Sequence, residues 1–218
     1  NLFSSAFLRR FADFGPNGMG AIYATNRSSG VSSTSLVVDL AQVGSGVGVI
    51  APRSWVSPTR DVDAFENIGE VGLGDIDLDT THDLLYVVNL FAKSVQVVNL
   101  TSYLETGTAV GSESVSQLPA YPAPNCVNGQ DRPFALKFKT DKVYLGVICD
   151  ASDAGGTSAD LNARVYVYDL NLGVWSVAVA PFALDYDRDP VYSGNPTFLA
   201  NFQPWTDSFV LSEWHLTY

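Results

Sequence analysis

Positive charge is scarce in this chain of 218 residues, which has 12 Lys and Arg against 23 Asp and Glu and a formal net charge of −11. Nucleic-acid binding depends largely on cations that displace counterions from the phosphates, so this balance argues against a nucleic-acid partner. It argues equally against docking on an anionic membrane surface. An acidic surface instead favours solubility and weak binding of divalent cations.

Long apolar runs and helical patterns are also missing. No apolar run approaches the length of about 18 residues that marks a membrane span, so no membrane insertion is predicted. No window of about 11 residues keeps helical spacing without Gly, Pro or a β-branched run, so almost no helix is predicted. The chain is nevertheless 46% hydrophobic and only 16% charged, which is enough to bury a core.

Histidine is rare, and this excludes several chemistries. The chain has two histidines, His82 and His215, which do not support an imidazole metal site or a nucleophile–histidine pair. The glycine-rich run Gly44–Gly48 has neither the sequence of a nucleophile elbow nor the spacing of a dinucleotide loop. We therefore predict no catalytic residue and no organic cofactor.

The two cysteines, Cys126 and Cys149, are placed so that they could pair. Predicted strands Phe134–Lys139 and Lys142–Cys149 are joined by a two-residue turn, and such a hairpin sets the start of one strand beside the end of the other. Cys126 just precedes the first strand, so a disulfide is predicted; the alternative is two free buried thiols. A disulfide, few lysines and an acidic surface favour an extracellular, oxidising location.

What the chain does contain is a repeat, in which a tyrosine-bearing strand is followed by a strand that ends at leucine. The pairs are Tyr23 with Leu40, Tyr86 with Leu100, and Tyr144 with Leu170. The tyrosines are 63 and 58 residues apart (86 − 23, 144 − 86), and the leucines 60 and 70 apart (40 to 100, 100 to 170). Two short apolar strands at a long period indicate a radial or stacked all-β architecture.

The units contain up to four short antiparallel strands, the content of a propeller blade. The predicted strands are Ala21–Asn26, Ser35–Leu40, Gly74–Asp79, Leu84–Asn89, Ser94–Leu100, Phe134–Lys139, Lys142–Cys149, Arg164–Leu170 and Val174–Ala180. Residues 1–218 therefore form a single β-propeller region with about three complete blades and partial blades at both ends. Because a ring needs about four to eight blades, we predict a partial propeller or a fragment of a larger ring.

The sequence around these strands resembles the YVTN family of β-propeller repeats. Tyr86-Val87-Val88-Asn89 is one residue away from the family signature, and Ile22-Tyr23-Ala24-Thr25-Asn26 keeps its Thr-Asn. The third unit departs from it, with Gly146 and Val147 in place of Thr and Asn. Residues 11–18, 71–77 and 131–136 resemble the propeller region of large secreted or surface-anchored bacterial proteins. The resemblance implies a fold and leaves the chemistry open, because propellers host many activities.

One loop is the leading candidate for a metal site. Asp185, Asp187 and Asp189 alternate in a loop, where backbone carbonyls can complete a calcium shell. The loop lacks the Gly and distal Glu of an EF-hand, and the alternative is a solvated turn. The acidic insertion Asp150–Asp160 is another candidate for a metal site of the same kind.

A second acidic cluster, Asp75, Asp77 and Asp79, shares one face of a predicted strand. It is either a calcium site at the inner edge of a blade or a polar face with local hydrogen bonds. The next repeat places Ala135, Lys137 and Lys139 at the aligned positions. We expect the acidic and basic sets not to pair, since equivalent faces of successive blades point the same way.

Aromatic residues allow a glycan partner. Tryptophans can stack on sugars at a loop face or pack between blades. The four tryptophans are Trp55, Trp175, Trp205 and Trp214.

The composition and repeats favour a non-enzymatic, extracellular structural or adhesive module of a surface or secreted bacterial protein. Its expected partners are further blades of a longer chain or other copies in a homo-oligomer or filament, because blade flanks need apolar cover. The alternative is a propeller enzyme, a hydrolase or lyase acting on a sugar or lactone, with a calcium ion.

Overall fold

Three antiparallel sheets dominate the structure, a computed structural model that describes residues 2–6, 8, 14–28, 30–51, 61–186 and 202–206. Sheet one has the order β1-β2-β3, sheet two β4-β5-β6-β7, and sheet three β8-β9-β10-β11. The strands are β1 Leu2–Ser5, β2 Ala21–Ser28, β3 Val31–Asp39, β4 Leu73–Asp79, β5 Leu84–Asn89, β6 Ser94–Asn99, β7 Val115–Gln117, β8 Asp131–Lys139, β9 Lys142–Cys149, β10 Asn162–Asp169 and β11 Val174–Ala183. The all-β prediction is confirmed.

The sequence repeat is also a structural repeat. The three tyrosines lie on the second strand of their sheets, and each leucine follows the third strand. The N–H of Leu100 donates to the carbonyl of Asp83, at 2.8 Å, just before β5. Leu40 donates in the same way to Gly20 at 2.8 Å, and Leu170 to Asp141 at 3.0 Å. The leucines therefore close each hairpin of second and third strands.

The residue before each leucine forms an Asx turn that ends the third strand. Asp39 Oδ1 accepts from the N–H of Ala41 at 3.0 Å, and Asn99 Oδ1 from Thr101 at 2.9 Å. Asp169 Oδ1 accepts from Asn171 at 3.0 Å. Such side chains substitute for the next ladder partner, so the chain turns at the same point in all three sheets.

The structure contains two short α-helices, α1 Val62–Phe65 and α2 Thr101–Thr106, which agrees with the prediction of almost no helix. Both are too short to show helical periodicity in sequence. Packing holds α2 in place, because Tyr103 is buried and its hydroxyl lies 2.6 Å from Ser35 Oγ on β3. Gly107, in the left-handed conformation at φ 70°, ends α2.

Sheet two is packed on both faces. Val87 and Val98 face a core shared with sheet one, which includes Val38. Tyr86 and Val88, the alternating neighbours on β5, face a core shared with sheet three. These strands read as near-continuous apolar runs because neither face meets water.

Cys126 and Cys149 form a disulfide with Cα atoms 5.3 Å apart, as the hairpin position predicted, and the described residues contain no free cysteine. The bond ties the connection before β8 to the end of β9. Within the described part of the chain, no helix is long and apolar enough to cross a membrane.

Candidate functional site: the junction of sheets two and three

Asp77 on β4 binds the neighbouring sheet directly. Its Oδ2 accepts from the backbone N–H of Phe138 on β8 at 2.6 Å and lies 2.9 Å from Lys137 Nζ. Burial raises the pKa of the Asp77 carboxyl, but the Lys137 contact and the N–H bonds outweigh it, so the pKa lies below its ordinary value. The carboxylate is therefore held ionised at the junction.

Asp75 repeats this contact two residues earlier. Its Oδ2 accepts from the N–H of Leu136 at 2.9 Å, while Oδ1 accepts from Ile76 within its own strand. Two carboxylates on one strand thus hold alternate N–H groups of the next sheet. They replace a backbone ladder between β4 and β8, and the first strands of the two sheets lie side by side.

The expectation that the acidic and basic sets do not pair is wrong. Lys137 and Asp77 form an ion pair because β4 and β8 are adjacent, so a face of one strand meets the edge of the next. In the structure, Asp75 and Asp77 each use both carboxylate oxygens to bind backbone N–H groups. These contacts match the second interpretation of this acidic cluster, a polar face that makes hydrogen bonds.

Asp79 ends β4 by building a turn with His82. Its Oδ1 accepts from the N–H groups of Thr81 at 2.8 Å and His82 at 3.3 Å, and Oδ2 lies 2.7 Å from His82 Nδ1. Burial raises the pKa of the Asp79 carboxyl, but these hydrogen bonds lower it by more. The pKa of Asp79 therefore lies below its ordinary value. The hydrogen bond with Asp79 raises the pKa of His82.

Tyr86 lies beneath this turn without a polar partner for its hydroxyl. The side chain is fully buried, and its hydroxyl neither donates nor accepts a hydrogen bond among the described residues. Its ring stacks on Phe138 with centroids 5.5 Å apart. Burial, with smaller effects from Asp79 and Asp141, raises the pKa of Tyr86 to about 12. Tyr86 acts as a packing residue between sheets two and three.

A second contact across the junction centres on Asp131. Tyr121 donates to Asp131 Oδ2 at 2.6 Å, and Lys93, from the turn after β5, reaches Oδ1 at 3.0 Å. The Tyr121 ring stacks on Tyr166 at 5.7 Å. Burial raises the pKa of Asp131, yet the Tyr121 and Lys93 hydrogen bonds bring it below normal.

Arg132, the residue after Asp131 at the start of β8, joins three segments. Its Nε donates to the buried Asp150 at 2.7 Å, and Nη2 to Glu70 ahead of β4 at 2.5 Å. The guanidinium also lies 5.0 Å from the ring centroid of Trp205. Asp150, from the acidic insertion, additionally accepts from the N–H of Gln130, so its carboxylate serves this junction.

The remaining predicted sites have mixed outcomes. Asp185 follows β11, whereas Asp187 and Asp189 lie outside the described residues, so the calcium prediction there stays a prediction. In the described ranges, no group of three His, Cys, Asp or Glu side chains is placed to hold a metal ion. Trp175 packs on Tyr168 and donates to the carbonyl of Pro119 at 2.7 Å, so it follows the packing interpretation. Trp55 and Trp214 also lie outside the described residues.

Sequence reasoning missed the Arg132 and Asp131 contacts because each depends on residues from distant segments. Arg132 meets Glu70 across 62 positions, and Lys93 meets Asp131 across 38. A repeat fixes which strands are equivalent but not which polar side chains meet between them. The available signal was the run Asp131-Arg132, two charged residues that open β8 directly before its apolar residues 133–136.

The chain is similar to two proteins of Dictyostelium discoideum. It is 27% identical to colossin-D over 152 residues, which is 68% of this chain and 15% of that protein. It is 26% identical to colossin-A over 233 aligned residues, 94% of this chain and 2% of that protein. The chain thus spans a small fraction of the length of these relatives. No family model and no solved structure matches it.

Proposed function

We propose that this chain is a non-catalytic, extracellular propeller module with a structural or adhesive role in a much larger protein, of the YVTN-repeat type that the sequence resembles. The observation that carries the proposal is the side-by-side placement of β4 and β8 through Asp75 and Asp77. Ser5 on β1 likewise donates to the carbonyl of Gly74 on β4 at 3.1 Å. First strands that adjoin in series are what blades around an axis require.

The chemistry of the junction supports a structural role. Its carboxylates bind backbone N–H groups, Lys137, Lys93 and Arg132, and these are contacts that hold sheets together. The disulfide supports an oxidising, extracellular location. The similarity to two proteins of which the chain spans 15% and 2% supports a module within a long polypeptide.

A crystal structure of the chain tests the propeller arrangement. We expect β1, β4 and β8 to lie around one axis, each as the first strand of its sheet. Sheets packed face to face as a sandwich, with these strands apart, would contradict the arrangement.

Surface labelling tests the location and role. An antibody raised against the folded chain should label unpermeabilised source cells, or the protein should occur in their medium. Labelling that requires permeabilisation would contradict the proposal. A panel of glycans and matrix proteins applied to the immobilised chain then separates an adhesive role, which gives binding, from a purely structural one.

A further inference from the structure

We infer that Asn99 is an acceptor for an N-linked glycan, which its side-chain amide receives as the chain passes through a secretory pathway. The tripeptide Asn99-Leu100-Thr101 matches the acceptor pattern of Asn, any residue except Pro, and Ser or Thr. The pattern recurs at Asn26-Arg27-Ser28, so the sequence by itself does not single out one site. The inference rests on the proposed extracellular location, because such glycans are added to secreted proteins.

The two polar side chains of the Asn99 tripeptide are open to solvent. Asn99 ends β6 and Thr101 begins α2, and both residues are exposed, whereas Leu100 between them is fully buried. The buried leucine fixes the tripeptide to the core while its neighbours remain at the surface. A glycan on Asn99 therefore extends into solvent without displacing any part of the core.

The amide nitrogen of Asn99 is free to react. Asn99 Oδ1 accepts from the backbone N–H of Thr101 at 2.9 Å, and because this partner is a donor, the atom that faces it must be the oxygen. Among the described residues, nothing bonds to Asn99 Nδ2 or to the hydroxyl of Thr101. The turn thus holds the carbonyl oxygen and leaves exposed the nitrogen that carries the sugar.

The fold requires neither an amide nor a hydroxyl at these positions. Asp39 and Asp169 make the same turn at the ends of β3 and β10. The residues two positions later are Ala41 and Asn171, neither of which has a hydroxyl. Asp39 is buried and Asp169 is half-buried, whereas Asn99 is exposed. Of the three equivalent turns, the one in sheet two alone combines an exposed amide with a hydroxyl two residues later.

The other matching tripeptide lies in a different setting. Asn26 is inside β2, where it pairs with Ser33 of β3. The ladder continues through Ser28, so the chain is extended over the whole tripeptide and does not turn at Asn26. Acceptor sites are typical of surface loops and turns, and the geometry therefore favours Asn99.

The transfer is a substitution at the anomeric carbon of the sugar, in which this chain is the substrate. The donor is a glycan linked through pyrophosphate to a polyprenol lipid, and the catalyst is an oligosaccharyltransferase. Asn99 Nδ2 forms a bond to the anomeric carbon as the bond from that carbon to the pyrophosphate oxygen breaks. The lipid pyrophosphate leaves with the electron pair, and one amide proton passes to a base of the transferase. No oxidant or reductant is needed.

Expression of the full 218-residue chain behind a cleavable secretion signal in cultured animal cells tests the site. The signal brings the chain into the secretory lumen whatever its native location, so a negative result concerns Asn99 and not the location. Surface labelling of source cells tests the location separately. A glycosidase that cleaves the sugar–amide bond converts a glycosylated Asn to Asp, and peptide mass spectrometry of medium and cell lysate locates this change. We expect it at residue 99 in most molecules.

Two variants should each remove the glycan, which is seen as a lower intact mass before glycosidase treatment. Asn99→Asp introduces the residue that makes the turn in the other two sheets, and Thr101→Ala keeps the backbone N–H that donates to Asn99. Thr101→Ser keeps the hydroxyl and should keep the glycan. Ser28→Ala, in the other tripeptide, is the matched control and should leave it unchanged. An unmodified Asn99 in the wild-type chain, a glycan on Asn26 alone, or one that survives Thr101→Ala would overturn the inference.

Discussion

The carboxylate of Asp77 accepts the backbone N–H of Phe138 at 2.6 Å across 61 positions of sequence. A side chain of one sheet thereby completes the hydrogen bonding of the first strand of the next. Replacing Asp77 by Ala leaves that N–H without its acceptor, and we expect a loss of about 1–3 kcal/mol in the free energy of unfolding. Glu105→Ala, on the exposed face of α2, is the control and should change it by less than about 0.5 kcal/mol. Equal effects in urea denaturation would show that the contact contributes nothing.

Acid should weaken the same junction. The pKa values of Asp77 and Asp131 are lowered in the folded chain, so their contribution is complete above the unfolded value near 3.8. It is lost as the pH falls through the folded values, which lie lower still. Wild type and Asp77→Asn should therefore differ in stability by a constant amount above about pH 4, and converge below it. A difference that instead grows on acidification would contradict the assignment.

His82 should titrate above its ordinary range. Its hydrogen bond with Asp79 raises its pKa, so any stability it contributes is complete below pH 6.5 and is lost as the pH rises through the folded pKa. Proton NMR in a His215→Ala background, which leaves one imidazole signal, should place the midpoint above 6.5. Asp79→Asn should return it toward 6.5. An unchanged midpoint would mean that the pair does not form in solution.

The disulfide should be an important support of sheet three. It links cysteines 23 positions apart, and removing a bond over such a loop costs about 2–4 kcal/mol. The double variant Cys126→Ser, Cys149→Ser should unfold at correspondingly lower denaturant concentration. Thiol titration of the denatured, unreduced protein should find no free thiol. Two titratable thiols in fresh material would contradict the bond.

Tyr121→Phe removes one hydroxyl and keeps the ring. Asp131 would lose a 2.6 Å hydrogen bond, and a bond to a charged group contributes about 1.5–3 kcal/mol. Tyr186→Phe is matched in chemistry, is 53% exposed and keeps its ring contact with Phe202, so it should be near neutral. Thermal unfolding compares the two variants. If Tyr121→Phe and Tyr186→Phe unfold at the same temperature, the hydrogen bond between Tyr121 and Asp131 does not stabilise the fold.

The strands were predictable where local pattern decides them. Tyr86-Val87-Val88-Asn89 and its repeats locate β2, β5 and β9, and the closing leucines locate the ends of β3, β6 and β10. β7, with three residues, carries too little pattern to be read, and it forms only because β6 offers an edge.

The junction was less predictable than the strands. Asp75 and Asp77 drew attention as carboxylates on one face, and that alternation is compatible with a metal ion as well as with hydrogen bonds. Only the distance between β4 and β8 decides between them, and adjacency of strands 61 residues apart is a tertiary property. The disulfide could be predicted from the sequence because a hairpin is local and its register follows from the turn.

Each sheet is made of consecutive strands, and the closing leucine bonds back to a turn within the same hairpin. Such short-range connections allow every sheet to form before the next has been synthesised, which keeps the conformational search small. The two sulfurs belong to one of these units, so oxidation can proceed as soon as sheet three emerges, with no other cysteine available for mispairing. The sheets of this chain can therefore mature in the order of their synthesis, the first while the last is still being made.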